Sequence, residues 1–346
     1  AVRARGLREG TRLTHQGRYV AHPRWVPPAA RRGDAEELIF HADDGDHPAG
    51  LYRAALDARD RIAEKPALVT RSTGASVGFD PDGNLYYCTL APSARHYGFV
   101  DLMRLGGGAR APRGIEGAIE RLTVGRRARE PDVSRDGRRI VYTTNRAGTT
   151  TLRIAELDAA GALVNERALV PSARYEQAFT PRFSPDGRHV AYATWTAGGY
   201  RDIRVVEVAT GRFFELFHDR AVEQQPTFSP DGRTLYFVSD RTGIPNVYAF
   251  DLDTRQLAQV TNVLTGAYMP EPSSDGATLF YVGYTSRGFD LYSLPLDPGR
   301  FLPALPYVDR RPSPRPRPPT ARWPVRPYRA VETLRPRAYT VDVGPG

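Results

Sequence analysis

Apolar and polar residues alternate along most of this chain in short runs, a few residues long and broken by turn residues. The run Leu235-Tyr-Phe237-Val-Ser239 is typical, and the spacing predicts a strand. No convincing amphipathic helix emerges. Ala54–Glu64 comes nearest, and it reads better as a loop between strands. The strands repeat. Pro226-Thr-Phe228-Ser229-Pro230-Asp231-Gly232-Arg233 precedes the run just quoted, and Pro181-Arg-Phe183-Ser184-Pro185-Asp186-Gly187-Arg188 is an earlier copy. Further copies surround Asp136-Gly137, Asp275-Gly276 and Asp82-Gly83. A degenerate sixth runs Pro23-Arg-Trp25-Val-Pro27 and, after an insertion, Leu38-Ile-Phe40. The Asp-Gly pairs stand 54, 50, 45 and 44 residues apart.

Each copy predicts the same unit. A short strand leads into an Asp-Gly bend, where glycine takes positive φ without steric cost and aspartate bonds the turn backbone. A second strand follows, then a turn such as Asp240-Arg-Thr-Gly243, a third strand such as Asn246-Val-Tyr-Ala-Phe250, and a fourth such as Gln256 to Thr261. Four antiparallel strands in about 45 residues is the period of a propeller blade. The expected fold is therefore all-β, a six-bladed β-propeller over residues 1–298. Its blades lie near 20–60, 68–105, 128–158, 178–208, 223–252 and 268–295. Residues 7–14 resemble a fourth strand without its first three. Either they complete the last blade, which removes an open edge, or another blade precedes Ala1.

From 299 to 346 the chain turns rich in Pro and Arg, and a semi-stiff, extended polyproline-II tail is expected. The net charge of +9 is uneven. Residues 1–32 and 299–346 each carry +7, leaving the body at −5, so composition argues against a nucleic-acid-binding surface. No apolar run reaches the roughly 20 residues of a membrane-spanning helix. The lone Cys88 excludes an internal disulfide and a thiolate zinc cage. The chain begins at Ala1 without a signal-peptide core, which reads as a mature chain or an excised fragment.

The motif Pro-x-Phe-Ser-Pro-Asp-Gly-Arg followed by a Leu-x-Phe/Tyr strand resembles the TolB-type propeller repeat. Phe183–Arg188 and Phe228–Arg233 match it fully, and the likeness extends over roughly residues 7–298. Similar propellers occur in the periplasmic Tol-Pal component, in the tricorn protease and as gates of prolyl-oligopeptidase-like enzymes, so the fold does not decide function. Pro327–Tyr339 looks like the Tyr-x-x-x-x-Thr-Leu-x-Pro-Arg-x-Trp segment joining such propellers to a BamA-like outer-membrane barrel, with Tyr339 in place of Trp.

Candidate chemistry is sparse. Gly74-Ala75-Ser76-Val77-Gly78 fits a nucleophile-elbow pattern. A strand and bend follow it where that motif needs a helix, so no catalytic residue is assigned. The histidines lack zinc spacing. His41, Asp43, Asp44, Asp46 and His47 cluster in one turn, and a solvated hairpin tip is the preferred reading over a cation site. Gly106-Gly-Gly108 lacks the context of a phosphate loop. No metal or cofactor is expected. The aromatics Tyr86, Tyr142, Tyr192, Trp195, Tyr236, Phe237, Phe280 and Tyr281 read as packing between blades. Counting six residues back from each turn aspartate gives Ser76, Glu130, Thr180, Gln225 and Met269, with His22 in the first blade. These should begin the innermost strands and ring one channel mouth as a weak binding site.

The function expected is a non-catalytic protein-binding or scaffold module of the bacterial envelope, periplasmic or outer-membrane-associated. It would recognise a protein or peptide partner, with an outer-membrane barrel further along the same polypeptide. The alternative is the gating propeller of a serine peptidase whose catalytic domain lies elsewhere.

Overall fold

The computed structural model describes residues 2–15, 19–43, 45, 49–93, 97–106, 119–309, 327, 329 and 330. After β1 (Thr11–Arg12) come six sheets. Blade 1 holds β2 (Tyr19–Trp25), β3 (Glu37–Asp43), β4 (Gly50–Ala55) and β5 (Ala67–Arg71). Blade 2 holds β6 (Val77–Phe79), β7 (Leu85–Pro92), β8 (Gly98–Leu105) and β9 (Ile119–Arg121). Blade 3 holds β10 (Ala128–Val133), β11 (Arg139–Arg146), β12 (Thr149–Leu157) and β13 (Leu163–Ala168). Blade 4 holds β14 (Gln177–Phe183), β15 (His189–Thr196), β16 (Tyr200–Glu207) and β17 (Phe213–Glu215). Blade 5 holds β18 (Glu223–Phe228), β19 (Thr234–Ser239), β20 (Asn246–Asp251) and β21 (Leu257–Gln259). Blade 6 holds β22 (Ala267–Pro272), β23 (Thr278–Thr285) and β24 (Gly288–Pro295). Every neighbouring pair is antiparallel. The molecule is the six-bladed propeller that the repeats predict.

Blade 6 takes its fourth strand from the other end of the chain: β1 pairs with β24, Thr11 opposite Ser293 and Arg12 opposite Tyr292. Leu13 N–H donates to Leu291 C=O (2.7 Å), and Thr14 Oγ1 donates to Asp290 (2.8 Å). The last stretch, β25 (Leu302–Pro303), lies along β21 as a fifth strand of blade 5. Residues 1–308 form one compact unit and 309–346 a second. The Pro/Arg tail and the barrel-linker likeness fall almost wholly outside the described residues.

The core is divided by blade. Six apolar clusters each join two neighbouring blades, the sixth closing blade 6 on blade 1 through Phe280, Val282, Leu38 and Phe40. This explains why the second strands are apolar on both faces. Adjacent Tyr86 and Tyr87 point to opposite neighbours, one into the blade 2–3 cluster and one into the blade 1–2 cluster. Trp195 departs from expectation. It is 43% exposed at the end of β15, with the Arg201 guanidinium 4.4 Å from its ring centre, because it lies beyond the depth at which blades touch.

The Asp-Gly bends carry one bonding scheme. In blade 4, Gly187 N–H donates to Ser184 C=O (2.8 Å), Ser184 Oγ donates to Asp186 (2.5 Å), and Asp186 accepts from Arg188 N–H (3.0 Å), with Gly187 at φ +67°. Blades 3, 5 and 6 repeat it through Ser134, Ser229 and Ser273.

Candidate functional site

The first strands β2, β6, β10, β14, β18 and β22 line the central channel, and the predicted ring falls on them. Five of its members, His22, Glu130, Thr180, Gln225 and Met269, have φ between +46° and +57°. Each sits before a proline, at a break in register within its strand. They do not begin the strands as expected. Each strand starts two or three residues earlier, and the bulge lets it continue to the mouth. Ser76 differs: it precedes the three-residue β6, with valine rather than proline after it.

These side chains link blades around the ring. Glu130 Oε2 accepts from Thr180 N–H (2.8 Å), and Gln225 Oε1 accepts from Met269 N–H (3.0 Å). Met269 Sδ accepts from His22 N–H (3.2 Å). Where the residue is short the link is missing, and the buried hydroxyls of Ser76 and Thr180 have no hydrogen-bond partner. His22, Thr180, Gln225 and Met269 enclose a void of about 10 Å³, so the channel is almost shut there. Burial drives the His22 imidazole down to about 3, with Arg182, His41 and Arg24 adding repulsion. Burial also raises the Glu130 carboxyl.

A second layer lies two residues further along each strand. Arg24 Nη2 donates to Asp132 Oδ1 (2.8 Å) and Arg24 Nη1 lies 3.6 Å from Glu271. Arg182 approaches Asp132 at 3.6 Å. Asp132 Oδ2 also accepts from Phe183 N–H (2.8 Å). Gly78 fills blade 2's place in this layer. A Cβ there would stand 3.1 Å from the Asp132 backbone, so β6 and β10 approach closely. Burial, then the neighbouring Arg24, lowers the Arg182 guanidinium to about 10. Sequence reasoning missed this ion-pair plug. Its residues Arg24, Asp132, Arg182 and Glu271 each follow the proline of their repeat.

The plug floors two openings. On the Asp-Gly side, Phe79, Val133, Phe183 and Phe228 wall a funnel of about 400 Å³. On the opposite side, a cleft of about 650 Å³ runs from Leu90 and Phe99 of blade 2, past Arg129, Glu130 and Asn145 of blade 3, to Gln177 and Phe179 of blade 4.

The remaining candidates separate from this site. Ser76 is buried before an antiparallel strand, not exposed on a strand-to-helix turn. His41 turns inward, its Nε2 3.0 Å from Ser72 C=O, while Asp43 accepts from Gly45 N–H. Asp44, Asp46 and His47 lie outside the described residues. Among the described residues no helix is long and apolar enough to cross a membrane.

Fold and channel together define a closed six-bladed propeller with a polar, ion-paired axis. The model of the TolB beta propeller domain matches residues 117–313, more than half of the chain, and the chain belongs to that family. The Tol-Pal system protein TolB of Francisella tularensis is 32% identical over 87 residues, which are 24% of this chain and 19% of that protein. The match takes in 36% or less of the length of the curated relatives. The crystal structure of TolB from Acinetobacter baumannii is similar at TM-score 0.55 and 18% identity, over 77% of this chain and 65% of that one. A Mycobacterium tuberculosis puromycin-hydrolyzing peptidase is similar at TM-score 0.56 and 18% identity, over 86% of this chain and 48% of that one. At such identities these two likenesses speak for the fold alone.

Proposed function

We propose that this propeller is a non-catalytic protein-binding module of the bacterial cell envelope. It takes an extended segment of its partner across the channel mouth formed by His22, Glu130, Thr180, Gln225 and Met269, beside Ser76. The observation that carries the reading is the cleft across blades 2 to 4, with apolar ends and a polar middle, a size and lining suited to a peptide. The same face supports it. Exposed Tyr19, Tyr97, Tyr175, Trp195 and Tyr284 all stand at its rim, and aromatic residues are enriched at protein interfaces. The likeness to a Tol-Pal system protein favours the envelope as the setting. A barrel beyond residue 346 belongs to this proposal as the expected anchor.

A photo-cross-linker at Gln177 tests it, with a second at Arg233 on the opposite face as control. The account expects an envelope protein cross-linked from Gln177 and not from Arg233. Once purified, that protein should bind the Glu130→Ala/Gln225→Ala variant at least tenfold more weakly than wild type. Equal yields from both faces, or unchanged affinity, would refute the mouth. Peptide hydrolysis by the chain itself would refute the non-catalytic reading.

A further inference from the structure

In four of the six blades the third strand carries an acid or amide at one repeated position, Asp101, Asp202, Asn246 and Asp290; Gly50 and Thr151 stand there in blades 1 and 3. The register makes them equivalent, because the residue two further on pairs with the outer strand as Met103–Arg121, Arg204–Glu215, Tyr248–Gln259 and Tyr292–Arg12. In blades 2, 5 and 6 this group caps the end of the fourth strand. Asp101 accepts from Arg121 (2.6 Å), Thr123 Oγ1 (2.9 Å) and the Gly125 and Arg126 amides (2.8 and 2.9 Å). Asp290 accepts from Arg12 and from Thr14 Oγ1. Asn246 Oδ1 accepts from Thr261 Oγ1 (2.9 Å) and Val263 N–H (3.0 Å).

Blade 4 breaks the scheme. Where blades 2 and 6 read Arg-Leu-Thr, blade 4 reads Glu215-Leu216-Phe217. Both side-chain donors are gone, and a like charge stands in place of the arginine. Asp202 is nevertheless 1% exposed, and neither of its carboxylate oxygens has a hydrogen-bond partner. The Asp219 amide faces it from outside hydrogen-bond geometry. Glu223, fully buried across the blade seam, uses Oε1 for Arg241 (2.5 Å) and leaves Oε2 without a partner. The cover is His218, whose exposed ring stacks on Tyr200 with centroids 4.3 Å apart. Its Nδ1 lies 3.3 Å from Glu215 and 3.9 Å from Asp202.

A buried carboxylate without donors is costly, and a bidentate guanidinium is the group that meets its geometry best. We infer that the seam between blades 4 and 5 is a pocket for an arginine side chain of a bound peptide. That guanidinium takes the place of Arg121 and Arg12 in blades 2 and 6, and His218 swings aside to admit it. Among the described residues no group of three metal-ligating side chains is placed to hold a metal ion, which favours the organic cation. Glu223 begins the strand that carries Gln225, so the pocket opens on the face that holds the mouth. The inference rests on the protein-binding reading only in that the arginine is carried by a peptide.

The charged groups facing Asp202 are Glu215 of β17, His218 and Asp219 of the connection, Glu223 of β18 and Arg241 after β19. Burial, then Glu215, raises Asp202 to about 6, and burial, reinforced by Asp219 and Asp202, raises Glu223 to about 8. An entering cation displaces their protons, so affinity should strengthen from about pH 5.5 to 8.5.

The test is titration of the full chain at pH 7.5 with a blocked Gly-Arg-Gly peptide and with its citrulline counterpart, the neutral isostere. Saturable binding is expected, at least tenfold weaker for citrulline. It should also be at least tenfold weaker in Asp202→Asn and in Arg204→Met/Glu215→Arg, which copies the Met103–Arg121 pair of blade 2. Asp202→Asn should melt several degrees above wild type at that pH. Should the double variant misfold, the single one still decides. Equal or absent binding of the two peptides, undiminished binding by Asp202→Asn, or a Tm raised by Ca²⁺ or Mg²⁺ and abolished in that variant would each overturn the pocket. Absent arginine binding together with intact cross-links from Gln177 would remove the pocket and leave the protein-binding reading standing.

Discussion

Asp132 shows what single residues do at the axis. Its carboxylate accepts from Arg24 and from the Phe183 amide, and it faces Arg182. Removing it leaves two buried guanidinium groups short of a counter-charge. Asp132→Ala should cost about 3–5 kcal/mol in urea denaturation, and Asp132→Asn less. His22 sets a pH dependence. Its folded pKa of about 3 lies below the ordinary histidine value, so the unfolded chain takes the proton first, and stability falls as pH drops from about 6.5 towards 3. His22→Asn should lose about 2–3 kcal/mol less than wild type between pH 7 and 4.5. Asp202 and Glu223 run the other way, since their raised values favour the fold at low pH and lose that contribution as pH rises through about 6 and 8. The ring of residues could be read from the repeats because one offset from each aspartate finds it. The plug could not. Arg24, Asp132, Arg182 and Glu271 come from four blades, and only closure of the ring makes their charges neighbours.

At the level of elements, the clearest sequence signal was the Ser-x-Asp-Gly bend, and the weak copies have physical causes. In blade 2 Asp80 replaces the serine. It accepts from Asn84 N–H (2.9 Å), Asn84 Nδ2 (2.8 Å) and Tyr86 Oη (3.1 Å), a different cap with the same outcome. Blade 1 inserts a 3-10 turn, Pro28–Ala30, between its first two strands. The closing strand was legible as an orphan, but its bonding was not. Thr14 Oγ1 donates to Asp290 and accepts from Leu291 N–H (3.0 Å), so Thr14→Ala should cost about 1–3 kcal/mol, seen as a lower denaturation midpoint. Gly10 is tighter still. A Cβ there would stand 2.3 Å from Ser293 C=O, a backbone atom that cannot step aside. Gly10→Ala should therefore free the β24 edge, and sedimentation should show more self-association than in wild type.

At the largest scale, residues 1–308 are a ring of blades that touch mainly their neighbours, with a polar axis and two unlike faces. The Asp-Gly face is a rim of bends around a funnel walled by apolar side chains and floored by the ion-paired plug. The opposite face carries the bulged ring, the cleft across blades 2 to 4, the exposed aromatics and the acidic seam between blades 4 and 5. The repeats announce the ring, since their period counts blades. They say little about the faces, since the proposed arginine pocket rests on a departure from the repeat: Glu215 and Phe217 in place of arginine and threonine. Hydrogen exchange of the chain with and without the partner cross-linked from Gln177 tests the account most directly. Amides of 129–130, 177–180 and 223–225 should slow on binding, while those of 134–139, 184–189 and 229–234 on the other face stay unchanged. Protection confined to the Asp-Gly bends or to the outer strands would contradict it.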